Sequence, residues 1–392
     1  MPKPPIDDQI SIDSLTTDPY SFYRWARADH PVVTVSSVGR TMLTKAADTR
    51  YVKDNWELFS SDDPNTPMRR AFQAHTLMRK DGDPHIRERT AMAAAFSPRN
   101  LRNIWTPIYE RVADEYVGRL PRGETVDLFS TLAAPVSARS LAHLIGLEHA
   151  SDADLCRWSQ TLIDGAGNFG WRPEPFEATD RANNEINAAI QITADNHEAG
   201  GRPNAVAAML DLDEPMEIEV IRSNIKIVIG GGINEPRDAL MTAIYGLLSN
   251  PDQRDAVLDG SVSWLNVFEE AIRWVAPIQL SSRRATQDTQ IRGYDIHEGD
   301  VVMTIQASAN HDEDVYEDGH LFNIHRPRTP HQAFGNGPHF CLGTHIARKM
   351  VSEIILPRLF DRFPAMSLVE GRPVEFRGFG FRGPVSLPVL LQ

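Results

Sequence analysis

Two stretches of this chain place reactive side chains where ordinary packing has no need of them. In AFGNGPHFCLGTHIARKM (333–350), Cys341 lies between Gly337 and Gly343 in a glycine-rich loop that leads into a helical run. Backbone N–H groups in such a loop can point at a sulfur, and a helix start favours negative charge, so the pattern suits a thiolate. The same hydrogen bonds would moderate donation from that sulfur to a metal. Cys341 is therefore a candidate metal ligand or reactive thiol, because an inert buried cysteine would not require glycines on both sides. The other cysteine, Cys156, lies on a plain amphipathic segment and is read as a small core hydrophobe.

The second stretch is GGGINEPRD (230–238), set between MEIEVIRSNIKIVI and ALMTAIYGLL, both of which carry apolar residues at roughly helical spacing. Pro236 has no N–H, so the Gly232 carbonyl loses its helical partner, and the ring should bend the helix there. Gly230, Gly231 and Gly232 remove side chains, so that bound groups can approach the backbone. Glu235 adds a titratable group beside the freed carbonyl, where ordered water could join the two. The competing reading pairs Glu235 with Arg237 or another basic group.

The elements that must position these residues are mostly helical. Segments 97–120, 126–147, DADLCRWSQTLIDGAG, EATDRANNEINAAIQITADNHEAGG and WLNVFEEAIRWVA all show a helical period. Strand signals are sparser: PVVTVSSV near residue 31 with TMLTK following, a hairpin over 289–305, and a last short pair in VEFRGFGFRGPVSLPVLL. No internal repeat or linker divides the 392 residues, so one large domain, 1–392, is expected, mainly α with a small β-rich portion. The composition, 41% hydrophobic and 24% charged, is that of a globular chain. A net charge of −13 argues against a broad nucleic-acid surface. No run approaches the roughly 20 apolar residues of a membrane span, and none near the N-terminus has signal-peptide length, so a cytoplasmic protein is expected. NHDEDVYEDGH (310–320) has Glu317 where a calcium loop needs glycine, so it is read as a solvated loop.

With Phe334, Gly337, His339, Cys341 and Gly343 in place, the cysteine stretch resembles the haem-binding signature of the cytochrome P450 family, F-x-x-G-x-H-x-C-x-G. Companion motifs follow over nearly the whole chain. Glu270 and Arg273 resemble the family's E-x-x-R pair and share a helix face, with Arg326 as the third member of a structural triad. His85 and Arg89 resemble the residues that hold the haem propionates, and Arg283 and His339 match the other two; Arg284 is a neighbouring rival to Arg283. The resemblance implies haem b between the long central helix and the cysteine loop, with Cys341 as axial thiolate. It implies O2 as oxidant and electrons from NAD(P)H through a separate ferredoxin or flavin/iron–sulfur reductase, none being fused to the chain. His345, Arg348 and Lys349 are the candidate docking spot for that carrier.

The family usually carries an acid–threonine pair at the middle of the central helix; Asn234 and Glu235 stand there instead. This departure makes Glu235 the candidate proton relay, with Asn234, Gly232 and Pro236 as the residues shaping it. Glu-Pro on this helix, SANHD at 308–312 and VEFRGFGFRGP resemble members that O-demethylate guaiacol-type methoxyarenes. That narrower likeness implies a cage of Phe72, Phe169 and Phe381 around a small aromatic substrate, with Gly231 and Ser281 as further contacts. Rival readings are hydroxylation of a terpenoid or aliphatic C–H bond, a peroxide-using peroxygenase, and a non-enzymatic haem-thiolate sensor.

Overall fold

The computed structural model describes residues 2–392. Its axis is one helix, Ile218–Ser249, apolar on most sides and buried along much of its length. Helices Ala134–Ile145, Asp152–Ala166 and Trp264–Trp274 pack directly on it. Together with Thr106–Gly118 and the C-terminal helices they enclose the principal hydrophobic core.

The helix runs through Pro236 without interruption, so proline and three glycines are absorbed inside it. Three other prolines act differently. Pro107, Pro135 and Pro357 each stand just inside a helix that follows a widened, π-type turn: Leu101–Trp105, Phe129–Ala133 and Lys349–Ile355. A proline ring crowds the carbonyl one turn back and offers it no N–H, which a wider turn relieves. The helix expected over 97–120 is accordingly built in three pieces, Pro98–Asn100, Leu101–Trp105 and Thr106–Gly118. Segment 126–147 opens as strand Thr125–Asp127 rather than as helix, because Val126 pairs with Val389 and Asp127 with Pro388 in antiparallel register.

The larger sheet has six strands in the order Ile6–Asp7, Val32–Val35, Arg40–Leu43, Val301–Thr304, Ser281–Ala285, Phe59–Ser60. The hairpin expected over 289–305 is shorter. It turns at Arg292-Gly293, both at positive φ (49° and 78°), and pairs only Thr289–Ile291 with Tyr294–Ile296. That backbone is the two-residue turn that matches strand twist. Val301–Thr304 leaves it to pair with Arg40–Leu43 and Ser281–Ala285. The C-terminal pair is Phe376–Arg377 with Gly383–Pro384, and its connecting segment carries Phe381 inward.

The loop 310–320 is not simply solvated. Asp312 is buried, receives Lys45 Nζ and the Ala46 N–H at 2.8 Å each, and so ties the loop to helix Ala46–Asp54.

Candidate active site

The cysteine loop is closed by the Cys341 N–H donating to the Phe334 carbonyl at 2.9 Å. Gly337 holds φ +64°, and a Cβ there would stand 2.7 Å from the Lys53 carbonyl oxygen, so both backbone angle and space demand glycine. Cys341 keeps much of its surface, yet that surface faces an internal cavity of about 330 Å3 rather than bulk water. Burial pushes its thiol up, against the pull of the Gly343 N–H and the Thr344 hydroxyl.

One edge of the cavity is crowded with donors. His85 and His339 lie ring to ring with centroids 4.2 Å apart. His339 Nε2 sits 2.9 Å from Ser61 Oγ and 3.0 Å from Asp81 Oδ1. Burial alone would raise Asp81, but hydrogen bonds from His339, Ser60 and Ser61 outweigh it and hold the carboxyl well below its usual range. Burial, with His339 and Arg89 nearby, brings His85 down to about 4. Arg89 donates to the Phe340 carbonyl at 2.6 Å. Arg283 lines the wall and is lowered to about 10 by burial and by Arg79, whereas Arg284 donates to the Asp62 carbonyl and does not line the cavity. Of these two arginines, left open in the sequence, Arg283 is the one on the cavity wall.

The central helix supplies the opposite wall. Gly231, Gly232, Glu235 and Pro236 all line the cavity. Both Glu235 carboxyl oxygens are buried with no hydrogen-bond partner, and burial raises the group well above the usual carboxylate range. The alternative partner is engaged elsewhere: Arg237 holds Asp238 at 2.7 and 3.1 Å and Gln160 at 3.0 Å.

The three glycines do different things. A Cβ on Gly230 would stand 3.0 Å from Phe72, and one on Gly232 would stand 2.7 Å from Leu141. Gly231 alone has the Glu235 carboxyl as its nearest neighbour, at 3.4 Å. Gly230 and Gly232 thus let other side chains come close, whereas a Cβ on Gly231 would meet only the Glu235 carboxyl on the cavity wall.

Two expected site residues lie outside the cavity wall. Asn234 turns away from it and donates through Nδ2 to Ser159 Oγ at 2.9 Å, because one residue along a helix rotates the side chain by about 100° from Glu235. Ser159 in turn donates to the Ile229 carbonyl at 2.7 Å, so this cluster fastens two helices together. Phe72 is packed over Gly230 in the core and does not reach the cavity. Phe169 and Phe381 do line it, each seated against a glycine of the other's segment: Phe169 on Gly380 and Phe381 on Gly167. Ser281 lines it too and accepts from Gln306 Nε2 at 2.7 Å.

The expected triad forms away from the cavity. Arg273 grips Glu270 through two bonds of 2.7 Å, and Arg326 Nε lies 3.5 Å from the same carboxylate. The expected basic docking spot is largely neutralised. Arg348 is doubly bound to Glu269 at 2.6 and 3.1 Å, and Lys349 pairs with Glu353 one turn on. Lys53 and Arg79 also line the cavity, and sequence reasoning did not single them out, since neither belongs to a motif.

These residues fit a haem. Cys341 is a lone sulfur: among the described residues no group of three or more His, Cys, Asp or Glu could hold a metal ion. A metal held by it must arrive with its other donors. Buried nitrogen atoms without partners on the cavity wall are Lys53 Nζ, Arg79 Nε and His85 Nε2, all near Arg283 and His339. That edge suits the carboxylates of a porphyrin.

Known proteins agree. Residues 265–379 match the cytochrome P450 family model. The steroid C26-monooxygenase of Mycolicibacterium smegmatis is 27% identical over 94% of this chain and 91% of its own length. The 2-hydroxy-5-methyl-1-naphthoate 7-hydroxylase of Streptomyces carzinostaticus is 28% identical over 88% and 86%. The solved structure of cytochrome P450 CREJ in complex with (4-ethylphenyl) dihydrogen phosphate superposes with a TM-score of 0.84, at 26% identity, over 96% of this chain and 97% of that one. The chain has the cytochrome P450 fold. It is an oxidoreductase of the cytochrome P450 monooxygenase class, using haem with a cysteine thiolate, O2 and electrons from redox partners.

Proposed function

We propose that this monooxygenase acts on a small aromatic ether, removing the methyl group of a methoxyarene to leave a phenol and formaldehyde. The observation that carries the reading is the pairing of Phe169 and Phe381 on a cavity wall with the unpartnered Glu235 carboxyl. Two aromatic faces orient a small ring by edge and face contacts. The named ligand of the CREJ complex is itself a substituted phenyl ring, and the Streptomyces relative is named for a naphthoate.

In this reading Cys341 anchors the haem, and His85, Arg89, Arg283 and His339 hold its carboxylate edge. Bound haem supplies the activation of O2, with two electrons delivered from NAD(P)H through a separate ferredoxin or flavin/iron–sulfur reductase. Glu235 stays protonated in its buried setting and passes a proton toward the Gly231 face. Gly231 leaves room for the reacting groups, and Phe169, Phe381 and Ser281 set the ether methyl toward them. The balance is one ArOCH3, one O2, two electrons and two protons giving ArOCH2OH and water. The hemiacetal then breaks its C–O bond to ArOH and formaldehyde.

Residues 1–392 act as one haem domain in the cytoplasm. No helix among the described residues is long and apolar enough to cross a membrane. The free carboxyl also favours a second reading, a peroxygenase in which Glu235 serves as general acid–base toward hydrogen peroxide.

The test is turnover of a methoxyarene panel with NADH and a ferredoxin/reductase pair, with formaldehyde and phenol quantified. One formaldehyde per phenol is expected, with no turnover on peroxide alone. Hydroxylation of a terpenoid such as linalool, with no methoxyarene consumed, would overturn the ether reading.

A further inference from the structure

The donor-rich edge of the cavity gathers buried basic side chains that no carboxylate of the protein bonds. Lys53, Arg79 and Arg283 are all buried there, with 2%, 9% and 6% of their surface exposed. Lys53 Nζ has no hydrogen-bond partner, and neither has Arg79 Nε. The Arg79 and Arg283 bonds that do form go to backbone carbonyls, those of Ser61 and Ser282. Asp63, Asp62 and Asp81 favour the Arg79 charge through space, but none of them bonds to Arg79, Arg283 or Lys53: Asp63 pairs with Arg40, Asp62 with His75, and Asp81 with His339, Ser60 and Ser61. An uncompensated buried cation costs several kcal/mol, so a fold that retains such a cluster implies an anion that completes it.

We propose that Lys53 and Arg79 form a second pair of clamps on the haem carboxylates, acting with Arg283. Lys53 also links that clamp to the cysteine loop. Its side chain reaches the cavity while its own carbonyl lies 2.7 Å from where a Gly337 Cβ would be. A carboxylate held by Lys53 therefore steadies the helix Ala46–Asp54 against the loop that carries Cys341. The inference concerns the haem edge and does not depend on which substrate is oxidised.

The same chemistry would suit a carboxylate on a substrate, and one experiment separates the two sources. Ferric holoprotein without substrate is mixed with excess apomyoglobin, and haem transfer is followed for wild type, Lys53→Met and Lys53→Arg. Haem loss about tenfold faster for Lys53→Met and within about twofold of wild type for Lys53→Arg is expected, since one charge-assisted contact contributes on the order of a tenfold change in an equilibrium. The ferric/ferrous midpoint potential of Lys53→Met should also fall, because a lost cation disfavours the added electron. Failure of Lys53→Met to accumulate holoprotein while Lys53→Arg retains haem supports the clamp equally. Equal haem release from all three proteins overturns it. So does unchanged haem release with loss of the spin-state response to 4-methoxybenzoate, which would assign the cation to substrate. Loss of haem from Lys53→Arg and Lys53→Met alike also overturns it, since charge would then not be what matters.

Discussion

At Glu235 a carboxyl is buried without a hydrogen-bond partner beside a glycine wall, and its environment fixes its protonation. Burial is the largest influence, Asp238 adds to it, and the residue's own N–H and Arg237 oppose it without reversing it. The folded protein therefore holds the Glu235 proton to higher pH than the unfolded chain, which releases it near about 4.3. Stability from this group is complete below that unfolded value and declines as pH rises toward the folded one, by up to about 1.4 kcal/mol per pH unit. Glu235→Gln removes the dependence, so its thermal midpoint relative to wild type should be higher at pH 8 than at pH 5 in ferric holoprotein. The same variant lacks the relayed proton, and general-acid steps contribute roughly 100-fold or more. Product formed per NADH should drop and hydrogen peroxide should accumulate. Unchanged coupling would end the relay role, and a pH-independent difference in midpoint would end the protonation argument.

At the scale of elements, the central helix shows what a sequence can and cannot tell. GGGINEPRD announced a special helix centre, and Glu235 could be singled out because a carboxylate amid glycines has no packing purpose there. Which glycine served which neighbour was hidden, since Phe72, Leu141 and Ile163 come from separate helices. The same blindness misplaced Phe72, whose type suits a cage and a core equally, and Asn234, whose facing depends on where its helix presents Ser159. The Gly232 contact with Leu141 can be tested by itself. Gly232→Ala sets a Cβ 2.7 Å from Leu141 Cδ1 and should destabilise by about 1–3 kcal/mol. Leu141→Ala alone opens a cavity and costs about 2–5 kcal/mol. The double variant should lose less than the two together, because the added methyl occupies vacated space. Strict additivity in urea unfolding would show that the two helices do not meet through this pair.

Across the whole molecule, distant segments close on one another in ways that only paired motifs can foretell. Glu270, Arg273 and Arg326 were legible as a set because they match the family's E-x-x-R pair and its third member, where the spacing of three by itself would fit any surface pair. Lys53 was not legible, since its burial depends on the cysteine loop arriving far along the chain against its backbone. The triad does more than join charges. Arg273 donates to the carbonyls of Asn310 and Gly319 at 2.7 Å and of Leu321 at 2.9 Å, and Glu270 accepts from the Asn323 N–H at 2.8 Å. One guanidinium thus fixes the irregular segment that precedes the cysteine loop, where no regular element could satisfy those carbonyls. Arg273→Ala leaves Glu270 buried with the Asn323 N–H and the more distant Arg326, and strands the Asn310 and Gly319 carbonyls, for an expected loss of about 3–5 kcal/mol. Arg273→Lys keeps the charge but cannot span both carboxylate oxygens and three carbonyls, so its loss should fall between wild type and alanine. Urea unfolding followed at the Soret band of the holoprotein measures both. A lysine variant as damaged as alanine would show that the fork of hydrogen bonds, rather than the charge, holds the segment. An alanine variant unfolding at the wild-type midpoint would mean that the cysteine loop is held from elsewhere.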